Sequence, residues 1–372
     1  MKIKKSNLFL YSGTFFLVIK TVLSASKIIP YSDFMDTVLA AAGALCMILS
    51  IIMQQYKVKV LLIYAMLIGI TAYNAIITGN NALAVTIITC LAIRKTDLKT
   101  YIRFIFKLQS TLVICHTIVA IIGSMIGTFN IVQNIGGITR YDFGTLHPNS
   151  FAALAFNLTI MWIWLNWDRI KARHIVFMIC SSGILYYFCK TRTNFIAMLA
   201  VIGFVFVCGV KHKFVRLVEE VATVIIPLLS IAMGVAIILY ANGNRIVLLL
   251  NEVLNARISL GAYALAHYSF TLFGQNMASL YTGTTWDPVW QLNGFTFDCI
   301  YTYMLVNQGI IWLILLTILF AKLAKRKNPK DNVAIIAWAL YGVTEVQGLN
   351  CFSCMPILLL TKLFGKGTEQ NG

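Results

Sequence analysis

Long uncharged apolar runs recur along the whole 372-residue chain, many of them near the roughly 20 residues that a helix needs to cross a bilayer core. Lipid offers no hydrogen bonds to a backbone, so runs of this kind must fold as helices. The chain is 59% apolar and only 12% charged, which leaves too little polar surface for a water-soluble protein of this length. The expected fold class is therefore all-α: a polytopic membrane helix bundle of about twelve transmembrane helices. They are expected near 7–25, 37–54, 60–77, 81–93, 104–127, 150–167, 175–190, 194–210, 221–241, 299–321, 332–345 and 352–364. The fourth and the last two are short, so each is tilted, re-entrant or not a span.

A net charge of +17 would suit a nucleic-acid binder, but the positions of the basic residues argue otherwise. Most of the 30 Lys and Arg fall in alternate short connections: Lys2, Lys4 and Lys5; Lys57 and Lys59; Arg94 to Lys107; Arg169 to Arg173; Lys211 to Arg216; Lys322 to Lys330; Lys362 and Lys366. This is the positive-inside pattern, and it predicts that both termini are cytoplasmic and that no nucleic-acid partner is needed. The basic start followed by Leu8–Leu23 resembles a signal peptide, yet Lys20 within the run and the many later spans favour an uncleaved first helix. Residues 1–241 are thus expected to hold nine membrane helices. Residues 242–298 form a long extracytoplasmic loop before the tenth helix, and 299–372 hold the last three helices.

Two outer segments are long, 128–149 and 242–298, whereas no inner segment is large enough for a catalytic domain. No Walker motif and no internal repeat is present, so any chemistry belongs on the outer face without nucleotide. The cysteines behave mostly as small hydrophobes. Cys351 and Cys354 form a C-x-x-C without a second pair or a nearby His, which permits a disulfide only if that segment faces outward.

Orientation does not explain the basic residues of the outer segments: Lys27, Arg140, Lys190, Arg192, Arg245 and Arg257. Lys190 and Arg192 lie in the turn Lys190-Thr-Arg-Thr-Asn194. If 244–259 is one amphipathic helix, Asn244, Arg245, Asn251, Glu252, Asn255 and Ser259 share a face. Arg257 then projects from the other side, among Ile246, Leu250 and Val253, where a guanidinium needs a polar cavity and an anion. Snorkelling, or a salt bridge to an acid such as Asp298, is the plainer alternative.

The segment Tyr141-Asp-Phe-Gly-Thr-Leu-His-Pro-Asn-Ser150 precedes an apolar run. Pro148 suits a first helical turn, and Asn149 or Ser150 can cap it. His147 then meets the positive end of the helix dipole and stays neutral, able to accept a proton, to hydrogen-bond a sugar hydroxyl, or merely to cap the loop. Asp298, in Phe297-Asp-Cys-Ile-Tyr301, is either a helix cap or a carboxylate that works with Tyr301 one turn on. His267 is a secondary outer candidate, while His116 and His174 read as structural. The outer segments contain no Asp-x-Asp pair, which argues against a metal-dependent sugar-nucleotide transferase. Trp286, Trp290, Tyr268 and Tyr281 suit sugar stacking or, more simply, an interfacial belt.

The order of these motifs resembles the Wzy-type oligosaccharide repeat-unit polymerases, relatives of the O-antigen ligases. The resemblance rests on the His147-Pro-Asn149 loop before a helix, the Arg192 turn and the run Arg257-Ile-Ser-Leu-Gly-Ala-Tyr-Ala-Leu-Ala-His-Tyr268. Thr271-Leu-Phe-Gly-Gln275 and Phe297-Asp-Cys-Ile-Tyr301 complete it. Cys299 stands where Asn after the Asp is commoner. The resemblance implies a metal- and cofactor-independent transferase of the cell membrane. It moves glycan from undecaprenyl pyrophosphate to a second lipid-linked oligosaccharide on the outer leaflet, for capsule, exopolysaccharide or O-antigen. Membrane lipid surrounds such an enzyme, and a chain-length regulator and a flippase are its expected pathway partners. On this expectation His147 and Asp298 are catalytic. Arg257, Arg192, Arg140, Arg245, Lys190, Asn149, Tyr301 and His267 bind substrate. The rival expectations are a glycan ligase of the same fold, a lipid-linked oligosaccharide flippase, and a purely structural membrane protein.

Overall fold

The computed structural model describes residues 5–54, 56–210, 212–282, 286–287, 292–293 and 295–364. Lys2, Lys4, Lys211, Lys366 and Trp290 lie outside the described residues, as do the side chains of Lys213, Tyr281 and Trp286.

The chain folds as helices with two small hairpins. The first five helices are α1 (Lys5–Leu23), α2 (Asp33–Ile52), α3 (Val58–Thr78), α4 (Ala82–Ala92) and α5 (Leu98–Met125). A hairpin of β1 (Val132–Ile135) and β2 (Ile138–Tyr141) follows. Next come α6 (Pro148–Asn166), α7 (Ala172–Cys189), α8 (Arg192–Val210) and α9 (His212–Ala241). The second long segment carries α10 (Arg245–Val253), α11 (Arg257–His267), the single turn α12 (Ala278–Thr282) and the two-residue pair β3 (Trp286–Asp287) with β4 (Leu292–Asn293). The chain ends with α13 (Ile300–Tyr303), α14 (Ile310–Ala324), α15 (Pro329–Thr344) and a 3₁₀ stretch, Met355–Leu363. Among the described residues, eight helices are long and apolar enough to cross a membrane: α1–α3 and α5–α9.

Several elements depart from the sequence expectation. The tenth expected helix is interrupted: α13 leads into a π-turn over Met304–Gln308, and Gly309 at φ 113° breaks the path before α14. A Cβ at Gly309 would sit 2.5 Å from the Leu272 carbonyl oxygen, so the close crossing of these segments requires glycine. The last expected helix is the 3₁₀ stretch and is almost wholly buried. The single helix expected over 244–259 is two helices that meet at 119°. Asn255 and Ala256 take left-handed φ values of 54° and 67°, and the Asn251 carboxamide oxygen caps α11 by accepting the Ile258 and Ser259 N–H groups.

α15 is apolar on every face from Val333 to Ala339 and is buried on every face, packed against α6, α8, α9, α14 and the 3₁₀ stretch. It forms the axis of the bundle. α1 and α2 cross closely where Gly13 meets Gly43, the small-residue contact by which membrane helices approach. All nine cysteines are free thiols, and Cys351 and Cys354 are buried.

The two ends of the bundle differ in chemistry. At one end Lys95 donates to the Gln54 carbonyl, while Lys330 and Lys362 lie over the Trp164 ring at 4.9 and 5.3 Å. Buried Asp331 there takes Trp164 Nε1 and Lys362 Nζ at 2.8 and 2.7 Å. The other end holds the C-termini of α1, α3 and α15 and the N-terminus of α6.

A Cβ on Gly13 would lie 2.9 Å from the Gly43 carbonyl oxygen, so Gly13→Val must force α1 and α2 apart. The expected cost is about 1–3 kcal/mol, read as a lower thermal midpoint in detergent. An unchanged midpoint would refute this packing.

Candidate functional site

The β1–β2 hairpin turns through Gly136 and Gly137, both at positive φ, and delivers Arg140 on β2. Asp142 follows, 0% exposed, and anchors the next stretch. Its carboxylate accepts the Gly144 N–H at 2.9 Å and pairs with Lys27, while its carbonyl accepts the Thr145 hydroxyl. Ser26 bridges to Thr145 and bonds His116 Nε2 at 2.9 Å, which joins the α1–α2 connection to this loop and makes His116 structural. The loop then enters α6 with His147 as its N-cap and Pro148 at the first helical position.

The cap is His147 itself, not Asn149 or Ser150: its Nδ1 accepts the Asn149 N–H at 3.1 Å. In the neutral ring the proton is therefore on Nε2, which is a donor rather than a proton acceptor. Burial, the positive helix end and the nearby Arg140 guanidinium hold the ring below the ordinary histidine range, against the opposing fields of Asp298 and Asp142.

Asp298 comes to the same place from the stretch before α13. It is not a cap, because Cys299 occupies that position without a side-chain bond. Burial raises its carboxyl above the usual range, while Arg257 and His147 pull it back down. Arg257 is 2% exposed. It begins α11 instead of projecting among Ile246, Leu250 and Val253, which lie exposed on α10. Its Nε and Nη2 donate to the Thr344 carbonyl at 3.2 and 2.9 Å, and Nη1 donates to the Leu254 carbonyl at 3.1 Å. These carbonyls end α15 and α10, so the guanidinium fills the orphan acceptors of two helix C-termini. Its hydrogen bonds go to backbone, and its charge serves Asp298 and Glu345.

Sequence reasoning passed over Glu345. It lies one residue beyond α15, 8% exposed, and is pushed up to about 8 by burial and by Asp298, with Arg257 opposing. Its Oε1 has no hydrogen-bond partner among the described residues, nor has either amide atom of buried Asn194 beside it. The signal was present, since an acid closing a long apolar run is costly unless something nearby uses it. Asn194 was visible as the last residue of the Arg192 turn.

The other expected site residues lie apart from this cluster. Lys190 sits over the Tyr187 ring at 4.5 Å, and Arg192 is exposed. Arg245 is exposed at the start of α10. His267 is exposed and bonded to its own helix at the Tyr263 carbonyl. Tyr301 is fully buried and donates to the Ala339 carbonyl at 2.8 Å, which leaves it a packing role. Tyr268 bonds Ser279. Arg140 belongs to the cluster, and its Nε is buried without a hydrogen-bond partner among the described residues. The assembled group is Arg140, His147, Asn194, Arg257, Asp298 and Glu345. It contains a fixed cation, a cation with a free donor, a neutral donor ring and two carboxyls of unequal acidity.

The folded chain keeps the Glu345 proton between about pH 4.5 and about pH 8, a window in which the unfolded chain has released it. Stability must fall as pH rises through that window, and Glu345→Gln should flatten the fall. Thermal unfolding in detergent across this range measures it; an equal slope in both proteins would contradict a buried, protonated Glu345.

Comparison with known proteins finds no match to this chain among protein-family models, curated proteins or solved structures.

Proposed function

We propose that this chain is a membrane glycosyltransferase, a polysaccharide repeat-unit polymerase acting at the outer leaflet. On this reading the Lys-rich end is cytoplasmic, both termini lie there, and the shorter apolar elements complete about twelve passes. The observation that carries the proposal is the convergence of six polar residues from five segments at the end of the bundle opposite the Lys-rich end. Polar groups buried in a membrane protein are costly and mark sites of function.

The donor is a glycan on undecaprenyl pyrophosphate, and the acceptor is a hydroxyl of a second lipid-linked unit. The acceptor oxygen attacks the anomeric carbon, the bond to pyrophosphate breaks, and the diphosphate leaves with the bonding electron pair. Arg140, whose Nε has no partner among the described residues, is the cation placed to meet that growing charge. Arg257 adds fixed positive potential from behind. Asp298, the more acidic of the two carboxyls, takes the acceptor proton, while Glu345 stays protonated at neutral pH. His147 donates from Nε2 to a sugar oxygen.

Purified protein in liposomes with one lipid-linked repeat should produce a ladder of products. Asp298→Asn should slow it by about 10²–10⁴-fold, and Arg140→Ala should leave single repeats on their lipid. A single transfer to a different acceptor with no ladder would indicate a ligase. Unchanged turnover in both variants would overturn the site assignment.

A further inference from the structure

A cavity of about 280 Å3 opens beside the cluster. Its walls come from the end of α1, the α3–α4 turn, the start of α6 and the segment that follows Glu345. It shares both of its last two walls with the site: Leu146 and Ser150 flank His147, and Val346 and Gln347 follow Glu345.

The lining sets amides and hydroxyls among the apolar side chains of Ala25, Ala82, Leu146, Val346 and Leu349. Asn81 and Gln347 are exposed at the rim, and among the described residues no hydrogen bond holds their side chains. Asn350 uses its carboxamide oxygen on the Phe352 N–H at 2.9 Å, which leaves its NH₂ for the cavity. Ser150 and Ser353 add hydroxyls. Among the described residues Lys20 is the only ionised side chain in the lining, and it is neutralised by Asp36 at 2.9 Å. Tyr31 holds Asp36 in turn, through a hydrogen bond of 2.9 Å.

This chemistry selects its ligand. An anion would need an uncompensated cation, and a lipid tail would leave the amides and hydroxyls of the wall without partners, whereas a sugar ring offers apolar C–H faces as well as hydroxyls. Amides and hydroxyls that offer donors and acceptors together match a neutral polyol, whose every hydroxyl does the same. The volume lies near the lower end of ligand sites, about 300 Å3, enough for about one or two sugar rings.

We infer that this cavity is a subsite for a neutral sugar of the acceptor glycan, holding it so that the next hydroxyl reaches His147 and Asp298. The inference rests on the glycosyltransferase reading for the acceptor's role, but the cavity's preference for neutral sugar does not depend on it. Gln347 and Asn81 are positioning residues, remote from the reacting bond.

The probe is the free oligosaccharide repeat, released by mild acid from the host's lipid-linked pool, with the full chain in nanodiscs. Binding is read by saturation-transfer NMR. Gln347→Trp and Asn81→Trp fill the rim at exposed positions that the fold tolerates, and both should weaken binding about tenfold or more. Gln347→Ala should weaken it less. In the ladder assay the Trp variants should raise KM for the lipid-linked repeat and leave kcat within about twofold, whereas Asp298→Asn should do the reverse. Wild-type binding in both Trp variants, or no binding by the unaltered protein, overturns the subsite even if a ladder forms. Binding that the Trp variants abolish, in a protein that makes no ladder, upholds the subsite and removes the polymerase reading.

Discussion

The arrangement depends on how one guanidinium is compensated at the end of an apolar axis. α15 is buried on every side, so whatever ends it is buried as well, and its last carbonyls need donors that water cannot supply. Arg257 supplies them from another segment and closes α10 with the same side chain. The positive charge so fixed makes it tolerable for Asp298 and Glu345 to lie nearby, because burial alone would drive both carboxyls toward neutrality. The carboxyls in turn balance the cation. No member of this set would be stable in its place alone.

The loop before α6 solves a different problem. A His at a helix N-terminus can point anywhere that its loop allows. Asp142, gripped by Lys27 and by the turn at Gly144, removes that freedom by tying the loop to the α1–α2 connection. Gly144, at φ 85°, is needed because a Cβ there would meet Ala120 at 2.7 Å. His147 is thereby held within the electrostatic reach of Asp298 with a defined tautomer. The cations divide by the same logic. Arg257 is fixed by backbone, Arg140 keeps a donor that no described residue takes, and Arg192 and Arg245 remain at the surface.

Several features were legible in the residues alone. Apolar runs of bilayer length determined the helices α1 to α3 and α5 to α9, because a backbone in lipid has no other way to satisfy its hydrogen bonds. Pro148 marked the start of α6, and the long segments 128–149 and 242–298 pointed to Arg140, His147, Arg257 and Asp298. Uniform periodicity misled at 244–259, where two left-handed residues split one amphipathic pattern into two helices. It misled again at Gly309, where a close backbone crossing breaks a run that reads as continuous.

The sequence by itself determined that this protein is a helix bundle with a charge-poor body and candidate chemistry in its connections. Only the tertiary structure decided which candidates meet. Arg245, His267 and Tyr301 look as eligible as Arg140 in one dimension, but the bend at Asn255 and the burial of α13 direct them elsewhere. Glu345 and Asn194 joined the site because α8 packs along α15 and brings its first turn to the end of that axis. Hydropathy is a local property that a chain carries in its order; the meeting of charges is set by packing between distant segments, which no local pattern encodes.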